Sequence, residues 1–223
     1  MTNNQRLILN KKKINDYDVT HPKEKMFQID NVLYSYKRLL SIVEFHGGKK
    51  NLSKLYKFFS NDVHEIYDNR YNYYDTKGNY IDGGRFDEDY KGGVDSYKLI
   101  DIMSGLGRTF DVVDIDDFGY PWLAFPNVFN LVSDGGVLFL TMPTRAQLTR
   151  SKVTYETLKH HNVLGDNEKL AYIKYFQRKA RDRNKFIQIK SIIKLSKHMW
   201  RFAIIVNSSI RPSEFPILSE KEI

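Results

Sequence analysis

The stretch Asp111-Val112-Val113-Asp114-Ile115-Asp116-Asp117-Phe118-Gly119-Tyr120-Pro121-Trp122 decides how this chain is read. It opens as an apolar strand and closes in acid, aromatic, glycine and proline. Asp114 and Asp116 lie on, or at the end of, a strand that otherwise reads as buried. Burying a carboxylate without compensation costs several kcal/mol, so acids in such places sit at a strand's exposed end or perform a task. Gly119 and Pro121 fix the backbone of the turn and leave the Phe118 ring free to project. In an open α/β sheet, ligands bind in the crevice at the carboxyl ends of the strands. The stretch reads as such an end.

Working outward, Gly135-Gly136 leads into Val137-Leu-Phe-Leu-Thr-Met142, a nearly continuous apolar run suited to a parallel strand buried on both faces. Upstream, Leu39 to Gly48 reads as a strand entering a glycine turn, and Lys49 to Ser60 places Leu52, Leu55, Phe58 and Phe59 at helical spacing. Strand, glycine turn and helix form a nucleotide-binding unit. Glycines let a ligand approach the backbone, and a helix N-terminus offers free N–H groups. A plain strand-to-helix turn would give the same pattern. His64 to Asn69 follows at the distance of a second strand. Asp68 stands at its end, with Glu65 behind it, either to accept a pair of ribose hydroxyls or to cap the next element.

Asp116-Asp117-Phe118-Gly119-Tyr120-Pro121 resembles the Asp-Pro-Phe-Gly-Ser-Pro motif of the tRNA (guanine-N2) dimethyltransferases, which are class I S-adenosylmethionine (SAM)-dependent methyltransferases. More loosely it resembles the Asp/Asn-Pro-Pro-Tyr motif of enzymes that methylate exocyclic amines of bases. Asp117 replaces the first proline and Tyr120 the serine. Val43 to Leu52 resembles the first methyltransferase motif, acidic-x-x-x-Gly-x-Gly, with Gly47 and Gly48 adjacent rather than alternating. The resemblance spans roughly residues 39–207. It implies a Rossmann-like α/β domain with a mostly parallel central sheet and a C-terminal antiparallel hairpin. It implies SAM as cofactor, bound by Glu44, Phe45, His46, Gly47, Gly48 and Asp68, with Asp95 near the adenine and Asp114 in the same group. It also implies that the Asp116 carboxylate and the Asp117 carbonyl accept hydrogen bonds from the target amine while Phe118 stacks on the base. The family's C-terminal tRNA-binding domain finds no match, so a different substrate is expected, or basic segments and a partner in its place. Three further readings stay open: a non-catalytic nucleic-acid-binding or scaffold protein on this fold, a DNA methyltransferase, and a protein methyltransferase.

Composition bounds these readings. The 223 residues, 41% hydrophobic and 28% charged, suit one domain with a substantial core. The absence of cysteine removes disulfides, thiol nucleophiles and thiolate zinc sites. The six histidines form no metal-ligand spacing, and no metal is expected. No apolar run has the length of a membrane span, and the polar start is unlike a signal peptide, so a cytoplasmic protein is expected. The net charge is +8 and unevenly spread. Residues 1–61 carry 12 Lys/Arg against 5 Asp/Glu, residues 62–118 carry 6 against 14, and residues 150–201 carry 14 against 4. Basic segments 1–61 and 150–201 flanking an acidic site suit a polyanionic partner, RNA more than DNA; a solvated lysine-rich surface is the bland reading.

The rest of the chain follows. Residues 1–25 read as a flexible basic arm, 26–207 as the methyltransferase-like domain and 208–223 as a loose tail. A helix is expected over 24–38, with Met26, Ile29, Leu33 and Tyr36 on one face. Residues 69–95 are expected to be a long loop or short hairpin, with a third strand near Asn79 to Asp82. Ser96 to Phe110 suits a helix stopped near Gly105 or Gly107. Residues 121–133 read as a crossover helix in which Pro126 is awkward. Asn167 to Arg183 reads as a helix whose Lys174, Arg178, Lys179, Arg181 and Arg183 alternate with Tyr172, Tyr175 and Phe176, the best nucleic-acid candidate. Lys185 to Leu195 and Trp200 to Val206 read as an antiparallel hairpin.

Overall fold

A computed structural model describes residues 21–47, 52–67, 73–74, 80–81, 96–116, 121–144, 167–197 and 199–209. The expected basic arm (residues 1–20 of it), the tail from 210 onward, and residues 145–166 lie outside the described residues.

Strands β1 (Ser41–Gly47), β2 (Asp62–Tyr67), β5 (Phe110–Ile115), β6 (Val132–Pro143), β7 (Phe186–Ser196) and β8 (Met199–Asn207) form one sheet in the order β2-β1-β5-β6-β8-β7. The first four are mutually parallel, and β8 runs antiparallel to both β6 and β7. The Lys185–Leu195 and Trp200–Val206 runs thus form the expected hairpin. β8 inserts beside β6, so β7 takes the edge. The strands β3 (Tyr73–Tyr74) and β4 (Tyr80–Ile81) pair only with each other. The segment near Asn79 is therefore a short hairpin, and among the described residues it adds no third strand to the main sheet.

Side chains alternate across the sheet, and each face has its own core. Val43, Phe45, Val113, Ile115, Leu138, Leu140, Phe202 and Ile204 point to one side. There they meet α3 (Ser96–Gly105), α4 (Glu168–Arg181) and the β5–β6 connection. Ile42, Val112, Val137, Phe139 and Ala203 point to the other, against α1 (Pro22–Leu33) and the short α2 (Ser53–Tyr56). β5 is buried along its whole length, as a central parallel strand should be.

Several boundaries differ from expectation. The helix expected over 49–60 spans Ser53–Tyr56 among the described residues. α1 begins at Pro22, whose fixed φ suits a first helical turn, so the helix takes in the last residues assigned to the arm. It ends at Leu33 rather than 38, because Tyr36 is drawn to the sheet, its hydroxyl donating to the Gly135 carbonyl at 2.7 Å. The connection over 121–133 is not one helix. Two 3-10 turns, Pro121–Ala124 and Asn127–Leu131, are separated at Pro126, which has no N–H to continue a helix. β6 then starts at Val132, with Gly135 at φ 71 absorbing a register shift before the regular run from Val137. No described helix is long and apolar enough to cross a membrane.

Candidate active site

The chain leaves β1 toward β2 on one side and leaves β5 toward β6 on the other, while β1 and β5 are direct neighbours. Their carboxyl ends therefore border the crevice where open α/β sheets bind ligands. Phe45 pairs with Ile115, which sets the end of β1 beside Asp116. On its other edge β1 carries a bulge: Phe45 pairs with Ile66 but Gly47 pairs with Tyr67, leaving His46 as the extra residue. Bulges at strand ends re-aim the chain next to binding sites.

Glu44 is buried, and its Oε1 accepts the Leu52 N–H at 2.7 Å. Glu44 thus ties β1 to the start of α2. Phe45 is a core residue on the opposite face. Of the other expected site residues, His46 and Gly47 close β1, while Gly48, Asp68, Asp95, Asp117 and Phe118 lie outside the described residues.

The two acids of the organising strand share one face and a single buried network. Asp114 is fully enclosed; its Oδ2 accepts from the Tyr56 hydroxyl at 2.6 Å and from Arg201 Nη2 at 2.6 Å. Arg201, on β8, is itself wholly buried, and its Nη1 donates to Thr141 Oγ1 at 3.1 Å. Thr141 in turn donates to Asp116 Oδ1 at 2.8 Å. Lys25 of α1, also buried, donates to Asp116 Oδ2 at 2.5 Å, and Arg201 Nη1 stands 3.7 Å from Oδ1. Two carboxylates face two cations, so the cluster is electrically balanced. That balance is what makes burial tolerable, since removing either partner of a buried pair strands a charge. Gln28 extends the row, donating to Ser191 Oγ at 2.9 Å and to the Arg201 carbonyl at 3.2 Å.

The two carboxyls are held differently. Burial pushes the Asp114 carboxyl up, against the pull of Arg201 and Tyr56, and the net direction is upward. Burial opposes ionisation of Asp116 too, but Lys25 and Arg201 outweigh it and hold that carboxyl at about 2. Asp116 is thus a fixed carboxylate at neutral pH. Its side chain keeps 15% exposure, whereas that of Asp114 has none. Asp116 is the member of the pair that a ligand can reach; Asp114 serves the network behind it.

Sequence reasoning did not find Lys25, Tyr56, Thr141 or Arg201. Two signals were present. Lys25 shares the helical stripe of Ile29, Val32 and Leu33, and Arg201 interrupts the apolar run of β8. A lone cation on a buried face implies a buried acid opposite it.

The aromatics of α4 turn inward. Tyr172, Tyr175 and Phe176 are buried, and their rings pack with Trp122, Phe125 and Phe202. They are core residues and do not stack on a partner's bases. The exposed residues of this helix include Lys174, Arg178 and Arg181, so its outer face is basic.

No protein-family model matches the chain, and no curated protein sequence matches it. Solved structures do. Trm1 from Pyrococcus horikoshii, in complex with S-adenosyl-L-methionine, superposes with a TM-score of 0.54 at 13% identity. The match covers 80% of this chain and 52% of that one, so the chain spans about half the length of that protein. Trm5b from Pyrococcus abyssi matches at TM-score 0.49 and 9% identity, over 86% of this chain and 50% of the other. TYW2 from M. jannaschii, in complex with AdoMet, matches at TM-score 0.46 and 9% identity, over 84% and 75%. With the sheet order and the reversed β8, the first of these establishes that the chain has the Rossmann-like fold of the class I methyltransferases.

Proposed function

We propose that the chain is a SAM-dependent methyltransferase acting on an exocyclic amine of a nucleobase, in RNA rather than DNA, in the cytoplasm. The observation that carries this reading is the ionised, partly exposed Asp116 carboxylate at the carboxyl end of β5, beside the end of β1. A carboxylate held at about 2 accepts hydrogen bonds and is a poor proton acceptor at neutral pH. It therefore suits an N–H donor whose lone pair must be oriented, and does not suit a hydroxyl that needs deprotonating. Positioning of that kind supplies up to about 7–11 kcal/mol of rate acceleration. The Asp117 carbonyl is proposed as the second acceptor and the Phe118 ring as the stacking surface, following the motif they belong to.

The residues around the crevice fit the cofactor. The bulge near the end of β1, beside β5, supports a ligand approaching the Gly47 backbone, and Glu44 holds the Leu52 N–H. Gly47, Gly48, His46, Asp68 and Asp95 are the residues proposed to hold SAM, which when bound supplies an electrophilic methyl group. RNA would lie across the basic outer face of α4 and the basic segment 1–61.

The test is transfer from tritiated SAM into separate pools of tRNA, DNA and protein. Label entering tRNA, and lost by at least about a hundredfold in Asp116→Asn, is the expected result. Label in protein alone overturns the nucleobase reading. Calorimetry with SAM and S-adenosylhomocysteine, on wild type and Gly47→Arg, separates a true enzyme from a scaffold. Folded wild-type protein that binds neither, with or without tRNA, is a scaffold on this fold.

A further inference from the structure

We propose that Lys25 is a positioning residue that pairs with and orients the Asp116 carboxylate, making the N-terminal helix α1 a working part of the site. The inference deepens the reading of Asp116 as the amine-binding carboxylate and rests on it for its catalytic meaning.

Lys25 and Asp116 are 91 positions apart, and the ammonium reaches the carboxylate at 2.5 Å. Lys25 lies in the first turn of α1, on the stripe that packs on the sheet, and its side chain is 2% exposed. A lysine placed only to dock a helix would reach solvent along its stem and pair at the rim. This one is delivered to the single acid of the network that a ligand can touch. The geometry at Asp116 is a two-sided clamp. Lys25 holds Oδ2 from α1 and Thr141 holds Oδ1 from β6, so the carboxyl plane is fixed. Each oxygen keeps a further lone pair for an incoming N–H. Among the described residues, the charged and titratable groups facing Asp116 are Lys25 from α1, Arg201 from β8 and Asp114 from β5, with Tyr56 from α2 behind Asp114. Arg201 gives its short contact to Asp114, at 2.6 Å, and stands 3.7 Å from Asp116. Lys25 is therefore the cation that Asp116 has to itself among the described residues.

The experiment is carboxyl-carbon NMR titration of Asp116, assigned by Asp116→Asn, in the wild type and in Lys25→Met and Lys25→Arg. Loss of an adjacent opposite charge raises a carboxyl by about 1–3 units, so Lys25→Met moves the Asp116 midpoint from about 2 to about 4; Lys25→Arg leaves it low. In parallel, methyl transfer to bulk tRNA falls in kcat with little change in KM in Lys25→Met, an acid limb appears in its pH profile near the new midpoint, and Lys25→Arg restores most of the rate. An unmoved Asp116 midpoint in folded Lys25→Met overturns the proposal, as does a rate loss that Lys25→Arg shares without any midpoint shift. If Lys25→Met does not fold, Lys25→Gln is read in the same way. Wild-type protein that transfers no methyl group refutes the methyltransferase reading, while the titration still decides whether Lys25 governs Asp116.

Discussion

At the scale of single residues, the network of Lys25, Asp114, Asp116 and Arg201 holds much of the fragility of this protein. Arg201 is wholly buried, and Asp114 with it. Arg201→Met strands the Asp114 carboxylate in the interior, and urea unfolding at neutral pH is expected to show a loss of about 3–5 kcal/mol. Pairing it with Asp114→Leu is expected to recover much of that loss, because an apolar pair of similar volume can replace a buried ion pair. The pH dependence follows from the directions of the shifts. Asp116 is held at about 2 and Asp111 below its ordinary 3.8; burial opposes ionisation at Asp111 too, but the Ser41 N–H, Arg38 and Ser133 outweigh it. Between those values the unfolded chain binds more protons than the folded one. The stability these groups contribute is therefore complete above 3.8 and lost as pH falls toward 2. Asp114 is raised, so its contribution has the opposite sign and lies above that window: it favours the folded protein as pH falls toward 3.8 and is unchanged below that. Circular dichroism along an acid titration is expected to show weakening over that window, with a shallower slope in Asp116→Asn.

At the scale of elements, the apolar strands and the α4 helix follow from local pattern, and the connections from local obstruction. The Asn167 side chain caps α4 by accepting the Leu170 N–H at 3.1 Å, as expected of a helix beginning at that residue. The β5–β6 connection shows how one residue redirects an element. Val128, Phe129 and Leu131 are apolar and buried as a helix would have them, yet Pro126 divides the segment into two short turns. The next constraint is Gly136. A Cβ there would meet the Asp111 carbonyl, the Ser133 carbonyl and the Val132 side chain, each at 2.9 Å. Two of the three are backbone and cannot swing aside. Gly136→Ala is therefore expected to cost about 1–3 kcal/mol, read as a lower urea midpoint at unchanged slope. Nothing crowds a Cβ at Gly105, so Gly105→Ala is the control for the loss of a glycine.

At the scale of the whole molecule, charge is segregated by what the fold buries. Lys25 and Arg201 count toward the basic segments of the sequence but are spent inside on Asp116 and Asp114. The outward basic charge of the described C-terminal region lies on Lys174, Arg178, Arg181, Lys190, Lys194 and Lys197. Replacing Lys174, Arg178 and Arg181 together by alanine is expected to leave the urea midpoint almost unchanged. It should lower tRNA affinity and reduce the slope of log affinity against log salt by about 2, measured by fluorescence anisotropy over a salt series. Replacing Tyr172 or Phe176 by alanine should do the reverse, costing about 3–5 kcal/mol of stability through lost core packing.

The sequence by itself determined the periods of burial. The continuous apolar runs of β5 and β6, the glycine turn after β1, the acid at the end of β5 and the closing hairpin are all local patterns, and local patterns survive in one dimension. They sufficed for a mostly parallel sheet closed by an antiparallel hairpin, and they motivate the site proposed at the ends of β1 and β5. Only the tertiary structure decided who answers those acids. Lys25 and Arg201 are separated from Asp116 and Asp114 by 91 and 87 positions, and long-range pairing leaves no periodic trace. The same holds for the aromatics of α4, whose alternation with basic residues is equally consistent with a binding face and with a core-facing stripe. A helix presents both at once, and the neighbour it packs against selects which side becomes the interior.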